Sequence, residues 1–152
     1  KNNVHIKAFS HIEGAKILDN AIVGPFARLR PGTVIGPNSH VGNFVEIKKT
    51  HIQENSKINH LSYLGDTNIG KNVNIGAGVI TCNYDGIKKN KTTIADNVFV
   101  GSNVSLVAPI KLSKNSIVGA GSVITQSVKK NALALERNEQ KTFPNYKKNR
   151  KK

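Results

Sequence analysis

An aliphatic residue recurs every six positions along most of this chain. The longest unbroken run comprises Ile94, Val100, Leu106, Leu112, Val118 and Ile124. Three shorter runs precede it, separated by single-residue slips: Val23, Leu29, Ile35, Val41 and Ile47; then Ile52, Ile58 and Leu64; then Ile69 and Ile75. An α-helix has a period near 3.6 and a simple strand a period of two, so neither explains this pattern.

Two further positions of the repeat indicate the architecture. Gly often follows the aliphatic residue, and a small or β-branched residue comes four positions after it, as at Ser39, Ser56 and Val98. This pattern is typical of a triangular solenoid, in which each hexapeptide forms a short strand and a corner, and Gly or Asn tolerates the corner's backbone dihedrals. We therefore predict an all-β parallel β-helix of about six coils, with sheets whose strands lie about 4.8 Å apart.

The repeat divides the chain into two regions. Residues 1–128 are predicted to form the β-helix, with an insertion at residues 82–93 that lacks the aliphatic register and must leave a corner as a loop. Loops inserted into a rigid repeat commonly carry function. Residues 129–152 are predicted to form a C-terminal cap and a basic arm, in which residues 131–135 could be a short helix or a cap.

The net charge of +14 bears on the choice of partners. Part of it lies in a terminal run formed by Lys147, Lys148, Arg150, Lys151 and Lys152. We interpret this run as a solvated arm, with attraction of polyanions as the alternative. Aromatic residues that could stack on bases are few and no familiar nucleic-acid motif is present, so we expect no nucleic-acid partner. A small phosphate-rich ligand would use the same positive charge.

Cysteine content and hydropathy favour a cytoplasmic protein without a membrane partner. Cys82 is the single cysteine, which fits a reducing compartment, and no apolar run approaches the length of a membrane span. No signal peptide opens the chain. The chain starts at Lys1 without an initiator Met and the repeat is running by Ile6, so we expect a piece of a longer protein.

Several residue patterns have competing interpretations. The pairs Gly76/Gly78 and Gly119/Gly121 resemble a dinucleotide fingerprint, but each lacks a third Gly and a following helix. The five histidines could bind zinc across adjacent coils, as in gamma-class carbonic anhydrases, but no two are five residues apart, so we predict no metal site. Cys82 could be a nucleophile or an inert small residue, and the absence of a histidine near it in sequence favours the inert role.

Two basic pairs lie beside inward-facing aliphatic residues. Arg28 and Arg30 flank Leu29, and Lys48 and Lys49 follow Ile47. We expect their side chains to face solvent or a neighbouring subunit, where they could also bind a phosphate.

Five segments are more specific than the repeat. They read GPFARLRPG at residues 24–32, VGNFVEIKK at 41–49, HLSYLGD at 60–66, NIGAG at 74–78 and TCNYDG at 81–86. In these segments the chain resembles the acetyltransferase domain of the bacterial bifunctional GlmU family, whose members are glucosamine-1-phosphate acetyltransferases and N-acetylglucosamine-1-phosphate uridyltransferases. The resemblance extends from about residue 12 to residue 137.

The resemblance implies the handedness, the assembly and the reaction. The family's domain is a left-handed β-helix that forms a homotrimer with active sites between subunits. It transfers acetyl from acetyl-CoA to glucosamine-1-phosphate, in the synthesis of UDP-N-acetylglucosamine for peptidoglycan and lipopolysaccharide. The uridyltransferase half, with its magnesium site, is absent from this chain, so no metal is expected here.

The resemblance also implies the site residues. His60 corresponds to the general base, a role that suits imidazole because the sugar ammonium must lose a proton before it attacks a thioester. The sugar-phosphate positions are Arg30, Lys48, Tyr63, Asn74 and Lys89. The acetyl-CoA positions are Ala77, Asn83, Tyr84, Ser102, Ala120 and Arg137. Glu46 is a further candidate, for orienting His60. The family's tail often carries a Trp, which this chain lacks.

Two alternatives remain at this stage. One is a different hexapeptide acyltransferase, acting on serine, a nucleotide sugar or a lipid precursor. The other is a non-catalytic β-helix whose basic arm binds nucleic acid or an anionic surface, which salt-sensitive DNA binding without acetyl-CoA binding would favour.

Overall fold

The computed structural model describes residues 2–146, so the basic run at residues 147–152 lies outside the described residues. Within them, the regular secondary structure consists of twenty-one short strands: β1 His5–Ile6, β2 His11–Ile12, β3 Lys16–Ile17, β4 Ile22–Val23, β5 Arg28–Leu29, β6 Val34–Ile35, β7 His40–Asn43, β8 Glu46–Lys48, β9 His51–Ile52, β10 Lys57–His60, β11 Tyr63–Gly65, β12 Thr67–Ile69, β13 Asn74–Ile75, β14 Ile80–Cys82, β15 Thr92–Ile94, β16 Phe99–Val100, β17 Ser105–Val107, β18 Ile110–Leu112, β19 Ile117–Val118, β20 Val123–Ile124 and β21 Leu133–Ala134. No helix in residues 2–146 has the length and apolarity needed to cross a membrane.

Every third strand joins the same sheet, which makes the chain a solenoid. Sheet A has eight strands in the order β1-β4-β7-β10-β13-β16-β19-β21, sheet B has seven in the order β2-β5-β8-β11-β14-β17-β20, and sheet C has six in the order β18-β15-β12-β9-β6-β3. Neighbouring strands pair in parallel, and their aliphatic residues stack, as Val41 does on Ile58. The predicted parallel β-helix is confirmed, and its left hand stays a prediction.

The solenoid has about seven coils, one more than predicted. The repeat continues past residue 128, where Leu133–Ala134 pairs in parallel with Ile117–Val118. The helix considered for residues 131–135 was therefore wrong, because this segment instead satisfies the open edge of sheet A. The inserted loop is also shorter than predicted, since Cys82 ends β14 and Thr92 begins β15, which leaves residues 83–91 outside the strands.

The interior is a column of aliphatic side chains interleaved with hydroxyl residues. Leu29, Ile47 and Leu64 are fully buried on successive strands of sheet B. Several buried hydroxyls next to the column bond to the backbone of the following coil, as Ser56 Oγ does to the Gly70 carbonyl at 2.8 Å. These bonds satisfy polar atoms that would otherwise be costly to bury.

A ladder of asparagines stabilises the corner between sheets C and A. One Asn per coil adopts a left-handed backbone with φ between 54° and 60°, a conformation that Asn tolerates better than most residues. The ladder comprises Asn3, Asn20, Asn38, Asn55, Asn72, Asn97, Asn115 and Asn131. Side-chain amides bond along it, for example Asn97 Nδ2 to Asn115 Oδ1 at 3.1 Å. The corner thus fixes the register of successive coils.

Candidate active site

His60 lies at the corner between sheets A and B, here called corner AB. Equivalent residues of five successive coils meet there: Asn43, His60, Ala77, Ser102 and Ala120. Backbone hydrogen bonds join one coil to the next along the corner, including Gly78 N–H to the His60 carbonyl at 3.3 Å and Gly121 N–H to the Ser102 carbonyl at 2.8 Å. The solenoid therefore aligns His60 with three of the six predicted acetyl-CoA positions.

The next residue of each coil at corner AB has positive φ, and its size changes along the axis. On the N-terminal side and in the coil of His60, this position is occupied by Phe9, Phe26, Phe44 and Leu61, all exposed. The rings of Phe9 and Phe26 stack at 5.0 Å, and those of Phe26 and Phe44 at 5.5 Å. Beyond His60 the same position is Gly78, Asn103 and Gly121. Corner AB thus carries large apolar side chains up to the coil of His60 and smaller residues in the coils beyond it.

Asn43 holds the His60 ring in one orientation. Asn43 Oδ1 lies 2.9 Å from His60 Nδ1, and the two residues are paired between β7 and β10. An amide oxygen only accepts hydrogen bonds, so Nδ1 is the donor in this contact, and in the neutral ring the lone pair is then on Nε2. The exposed imidazole can therefore accept a proton at Nε2.

Glu46 contacts arginines rather than the imidazole. Its carboxylate lies 3.0 Å from Arg30 Nη1 and 3.8 Å from Arg28 Nη1. Within residues 2–146, the hydrogen-bond partner found for the His60 ring is Asn43. Within this chain, Glu46 therefore does not contact His60 as considered, and it pairs with Arg30 instead.

Three of the five predicted sugar-phosphate residues are cations on or beside sheet B. Arg30 follows β5 and Lys48 ends β8, at equivalent positions of consecutive coils. Lys89 reaches Lys48 from the inserted loop. The hydrogen bond between the two amines and the positive charge of Lys48 lower the pKa of Lys89, whereas that hydrogen bond and the Asp66 carboxylate raise the pKa of Lys48.

Lys48 was expected to face solvent or a neighbouring subunit, and within this chain its side chain is largely shielded from solvent. Only 9% of its side chain is exposed, and its ammonium lies 3.4 Å from Asp66 Oδ2. Asn83 Nδ2 donates to the same oxygen at 2.6 Å. The sequence pattern predicts an outward position for Lys48. The ion pair with Asp66 in the next coil keeps the Lys48 side chain against the sheet.

Tyr63 and Asn83 share the space above Gly65. A Cβ atom at Gly65 would lie 2.5 Å from Tyr63 Oη and 2.6 Å from Asn83 Nδ2. Both distances are too short for a carbon contact, so a side chain at position 65 would displace the phenol or the amide. Gly65 thus lets a phenol and an amide approach the Lys48–Asp66 pair.

The inserted loop is a short hairpin that carries Tyr84 and Lys89. Asn90 N–H donates to the Asn83 carbonyl at 2.7 Å, and Tyr84 pairs with Lys89 in an antiparallel bridge. Asp85 accepts hydrogen bonds from Lys88 N–H, Ile87 N–H and the Asn90 amide, which lower its pKa to about 2. Tyr84 is exposed, and its hydroxyl donates to the Gly86 carbonyl at 2.6 Å.

Asn74 and Arg137 lie apart from the cations. Asn74 is on β13 of sheet A, paired with Lys57 and Phe99. Arg137 follows the last strand, and its Nη1 donates to the Ala120 carbonyl at 3.2 Å, at the far end of corner AB. A single chain therefore divides the predicted residues between the cation cluster on sheet B, corner AB, and sheet A.

Asn43 and Asp66 belong to this site but were not among the predicted site residues. Asn43 lies 17 positions before His60, about one coil, so coil arithmetic could have found it. Asp66 closes the segment HLSYLGD, but its role depends on a left-handed backbone with φ of 51°, which the sequence does not reveal. In residues 2–146, no group of three or more His, Cys, Asp or Glu side chains is arranged to hold a metal ion. Cys82, a free cysteine, is partly buried at the end of β14.

Solved structures share this fold. PerB from Caulobacter crescentus, in complex with CoA and GDP-perosamine, superposes with a TM-score of 0.60 at 19% identity, covering 83% of this chain and 53% of that protein. The UDP-N-acetylglucosamine acyltransferase of Francisella novicida superposes with a TM-score of 0.54 at 17% identity, covering 86% and 66%. At these identities the likeness concerns the fold alone.

Sequence relatives give a closer match over part of their length. The chain is 53% identical over 150 residues to the bifunctional protein GlmU of Marinobacter nauticus, which covers 99% of this chain and 33% of the relative. It is 56% identical over 142 residues to that of Cellvibrio japonicus, covering 93% and 31%. The chain thus spans about a third of the length of these relatives, and it matches their C-terminal part.

The resemblance inferred from the motifs is confirmed by these relatives. The model of the family described as the GMPPB C-terminal domain matches residues 11–111, more than half of the chain. The chain therefore belongs to the GMPPB C-terminal domain family, and its relatives include the bifunctional GlmU proteins.

Proposed function

We propose that this chain transfers the acetyl group of acetyl-CoA to the amine of glucosamine-1-phosphate. The product, N-acetylglucosamine-1-phosphate, would serve the synthesis of UDP-N-acetylglucosamine, and hence of peptidoglycan and lipopolysaccharide, in the cytoplasm. The observation that carries the proposal is the alignment of His60, whose ring bonds to Asn43, with Ala77, Ser102 and Ala120 along a corner that ends near Arg137. The GlmU relatives support the choice of acceptor.

His60 is the general base of this reaction. Its Nε2 is free to accept a proton because Nδ1 bonds to Asn43. The neutral sugar amine attacks the thioester carbonyl carbon and forms the C–N bond, while His60 removes a proton from the amine. The C–S bond then breaks, and the departing thiolate takes up the proton held by His60, which regenerates the base. No acyl-enzyme is needed, so Cys82 has no part in the reaction.

The acceptor phosphate binds to Arg30, Lys48 and Lys89. Guanidinium and ammonium groups form charge-assisted hydrogen bonds with phosphate oxygens. Tyr63 and Asn74 suit the sugar hydroxyls, since each has a group that can donate and one that can accept.

Acetyl-CoA lies along corner AB, with its thioester at His60 and its nucleotide end at Arg137. Ala77, Ser102 and Ala120 occupy the next three coils, so the track from His60 to Arg137 covers four coil spacings, about 19 Å in all. That length suits the extended pantetheine arm of CoA. The small residues at positive φ on this side, Gly78 and Gly121, leave the backbone accessible to it. Asn83 and Tyr84 would contact the donor from the inserted loop.

The active enzyme is a homotrimer with sites between subunits. Asn74 on sheet A and the cations on sheet B flank different sides of corner AB within one chain. This separation supports a site completed by a second copy, which would bring the sheet A face of one chain towards the sheet B face of another.

Thiol release tests the proposed reaction. The chain with acetyl-CoA and glucosamine-1-phosphate should release CoA and yield the N-acetyl product by mass spectrometry. Glucosamine without the phosphate should react at least about tenfold less efficiently, because it lacks the group bound by the cations. Turnover confined to serine or a nucleotide amino sugar would assign a different acyltransferase, and no turnover with any amine would contradict the proposal. A solution mass measurement tests the trimer.

A further inference from the structure

Asp66 lies where the two predicted binding sites meet. Its Oδ2 atom is 3.4 Å from Lys48 Nζ, which belongs to the predicted sugar-phosphate site. The same oxygen accepts a hydrogen bond of 2.6 Å from Asn83 Nδ2, which belongs to the predicted acetyl-CoA site. One carboxylate oxygen therefore contacts one residue of each site.

The surroundings of Asp66 make these contacts hard to replace. The side chains of Lys48 and Asp66 are 9% and 15% exposed, and Asn83 is buried. Removing one partner of a buried ion pair leaves the other charge without compensation, which is strongly unfavourable. The backbone of Asp66 is also fixed, since its N–H donates to the Lys48 carbonyl at 3.0 Å.

Asp66 also acts on the inserted loop through Asn83. The Asn83 carbonyl accepts the hydrogen bond from Asn90 N–H that closes the base of the loop. The loop carries Lys89, whose amine is close enough to Lys48 for each to shift the pKa of the other. Two amines this close repel each other when both are charged, and the neighbouring carboxylate offsets that repulsion.

We propose that Asp66 is a positioning residue that couples the acceptor and donor sites, by holding Lys48 and the loop base at Asn83 against one carboxylate. The inference rests on the proposed function and adds to it a residue outside the predicted binding set. It implies that a change at Asn83 weakens binding of the acceptor, although Asn83 is assigned to the donor.

The variant Asp66→Asn tests this role because two views of the residue predict opposite results. If Asp66 were only an anion near the phosphate, its neutralisation would lower the KM for glucosamine-1-phosphate. As a positioning residue, its neutralisation raises the KM for glucosamine-1-phosphate and for acetyl-CoA, each by about tenfold, with a smaller change in kcat. Glu54→Gln is the control, because Glu54 forms an exposed pair with Lys71 at 3.0 Å, outside the proposed site, and should change neither KM.

A double-mutant cycle tests the coupling. Asn83→Ala should raise the KM for glucosamine-1-phosphate, and adding it to Asp66→Asn should raise that KM little further, because Asn83→Ala removes the same contact that Asp66→Asn weakens by removing its charge. Fully additive effects, or a KM for the acceptor that Asn83→Ala leaves unchanged, would overturn the coupling.

Hydrogen exchange gives a readout that does not depend on turnover. Amides of residues 83–91 should exchange faster in Asp66→Asn than in the wild-type chain or in Glu54→Gln, while the strands of sheet C keep their protection. Unchanged loop exchange would contradict the inference. A wild-type chain without acetyl transfer would instead contradict the proposed function, so the two failures are distinguishable.

Discussion

Asn43 Oδ1 and His60 Nδ1 are 2.9 Å apart across neighbouring coils of sheet A. The contact is a consequence of the solenoid, because β7 and β10 pair in a register that sets Asn43 beside His60. It fixes the tautomer in which Nε2 is the basic nitrogen. Here His60 Nδ1 bonds to a neutral amide. In a catalytic triad, the corresponding histidine nitrogen bonds to a carboxylate.

Replacing Asn43 should alter turnover in a way that depends on charge. Asn43→Ala should lower kcat by about tenfold, because the ring loses its orienting bond. Asn43→Asp should move the acidic limb of the kcat/KM profile to higher pH, because a carboxylate stabilises the imidazolium. Steady-state rates between pH 5 and 9 check both outcomes. Identical profiles for the wild type and Asn43→Asp would show that the amide does not govern the base, and His60→Ala, expected to lose about 10²-fold in kcat, calibrates the scale.

Lys89 should matter for the acceptor, and its neighbour Lys88 should not. Lys89→Ala removes an amine that lies close to Lys48, so the KM for glucosamine-1-phosphate should rise by about tenfold. Lys88→Ala is the matched control, since the contact of Lys88 with Asp85 is made by its backbone N–H and survives the substitution. Initial-rate measurements compare the two variants. Equal effects would mean that the loop contributes only general positive charge.

The asparagine ladder should stabilise the fold independently of catalysis. Asn97 accepts a hydrogen bond from Asn72 at 3.2 Å, donates one to Asn115 at 3.1 Å, and has φ of 58°. Asn97→Ala should reduce the free energy of unfolding by about 2 kcal/mol, from lost hydrogen bonds and an unfavourable left-handed backbone. Asn97→Gly, which avoids the backbone cost, should reduce it by about half as much.

Chemical denaturation measures both ladder variants, with the exposed Asn68→Ala in strand β12 as control. If Asn97→Ala and Asn97→Gly were equally destabilised, the conformational part of this explanation would be wrong.

His40 should make stability depend on pH. Burial, and then the positive charges of Lys7, His60 and Lys57, lower the pKa of His40 from its ordinary value of 6.5. Just below pH 6.5, His40 therefore binds a proton in the unfolded chain but not in the native chain. The contribution of His40 to the free energy of unfolding is complete above pH 6.5 and is lost as pH falls through the native pKa.

The variant His40→Gln should consequently show a flatter decline in the free energy of unfolding below pH 6.5. Denaturation curves at several pH values test this, with the exposed His11→Gln as the control. A decline as steep as that of the wild type would assign the pH dependence to other groups.

The fold was predictable because its determinants repeat. Each coil must bury aliphatic residues at the same positions, so Val100, Leu106 and Leu112 predict the three faces of one coil. All three residues are fully buried. The end of the solenoid was less predictable. Leu133 and Ala134 follow a break in the repeat, and only the open edge of sheet A makes a strand there more favourable than a helix.

The site was predictable in outline from motifs and not in its connections. The coil period is enough to align His60 with Ala77, Ser102 and Ala120, because residues one coil apart stack. The burial of Lys48 was not visible in the sequence, since it depends on how the side chain of Asp66 turns from a left-handed corner. Side-chain direction at such a corner is a tertiary property that hexapeptide periodicity does not encode.

The stacking of coils also fixes the distances between residues along corner AB. Because corner AB advances by one fixed step per coil, the separation of Arg137 from His60 is set by how many turns lie between them. Inserting one complete turn between Ser102 and Ala120 would lengthen that gap by about 4.8 Å and leave the imidazole and its amide partner untouched. Adding or deleting whole turns would thus match the distance between His60 and Arg137 to longer or shorter donors.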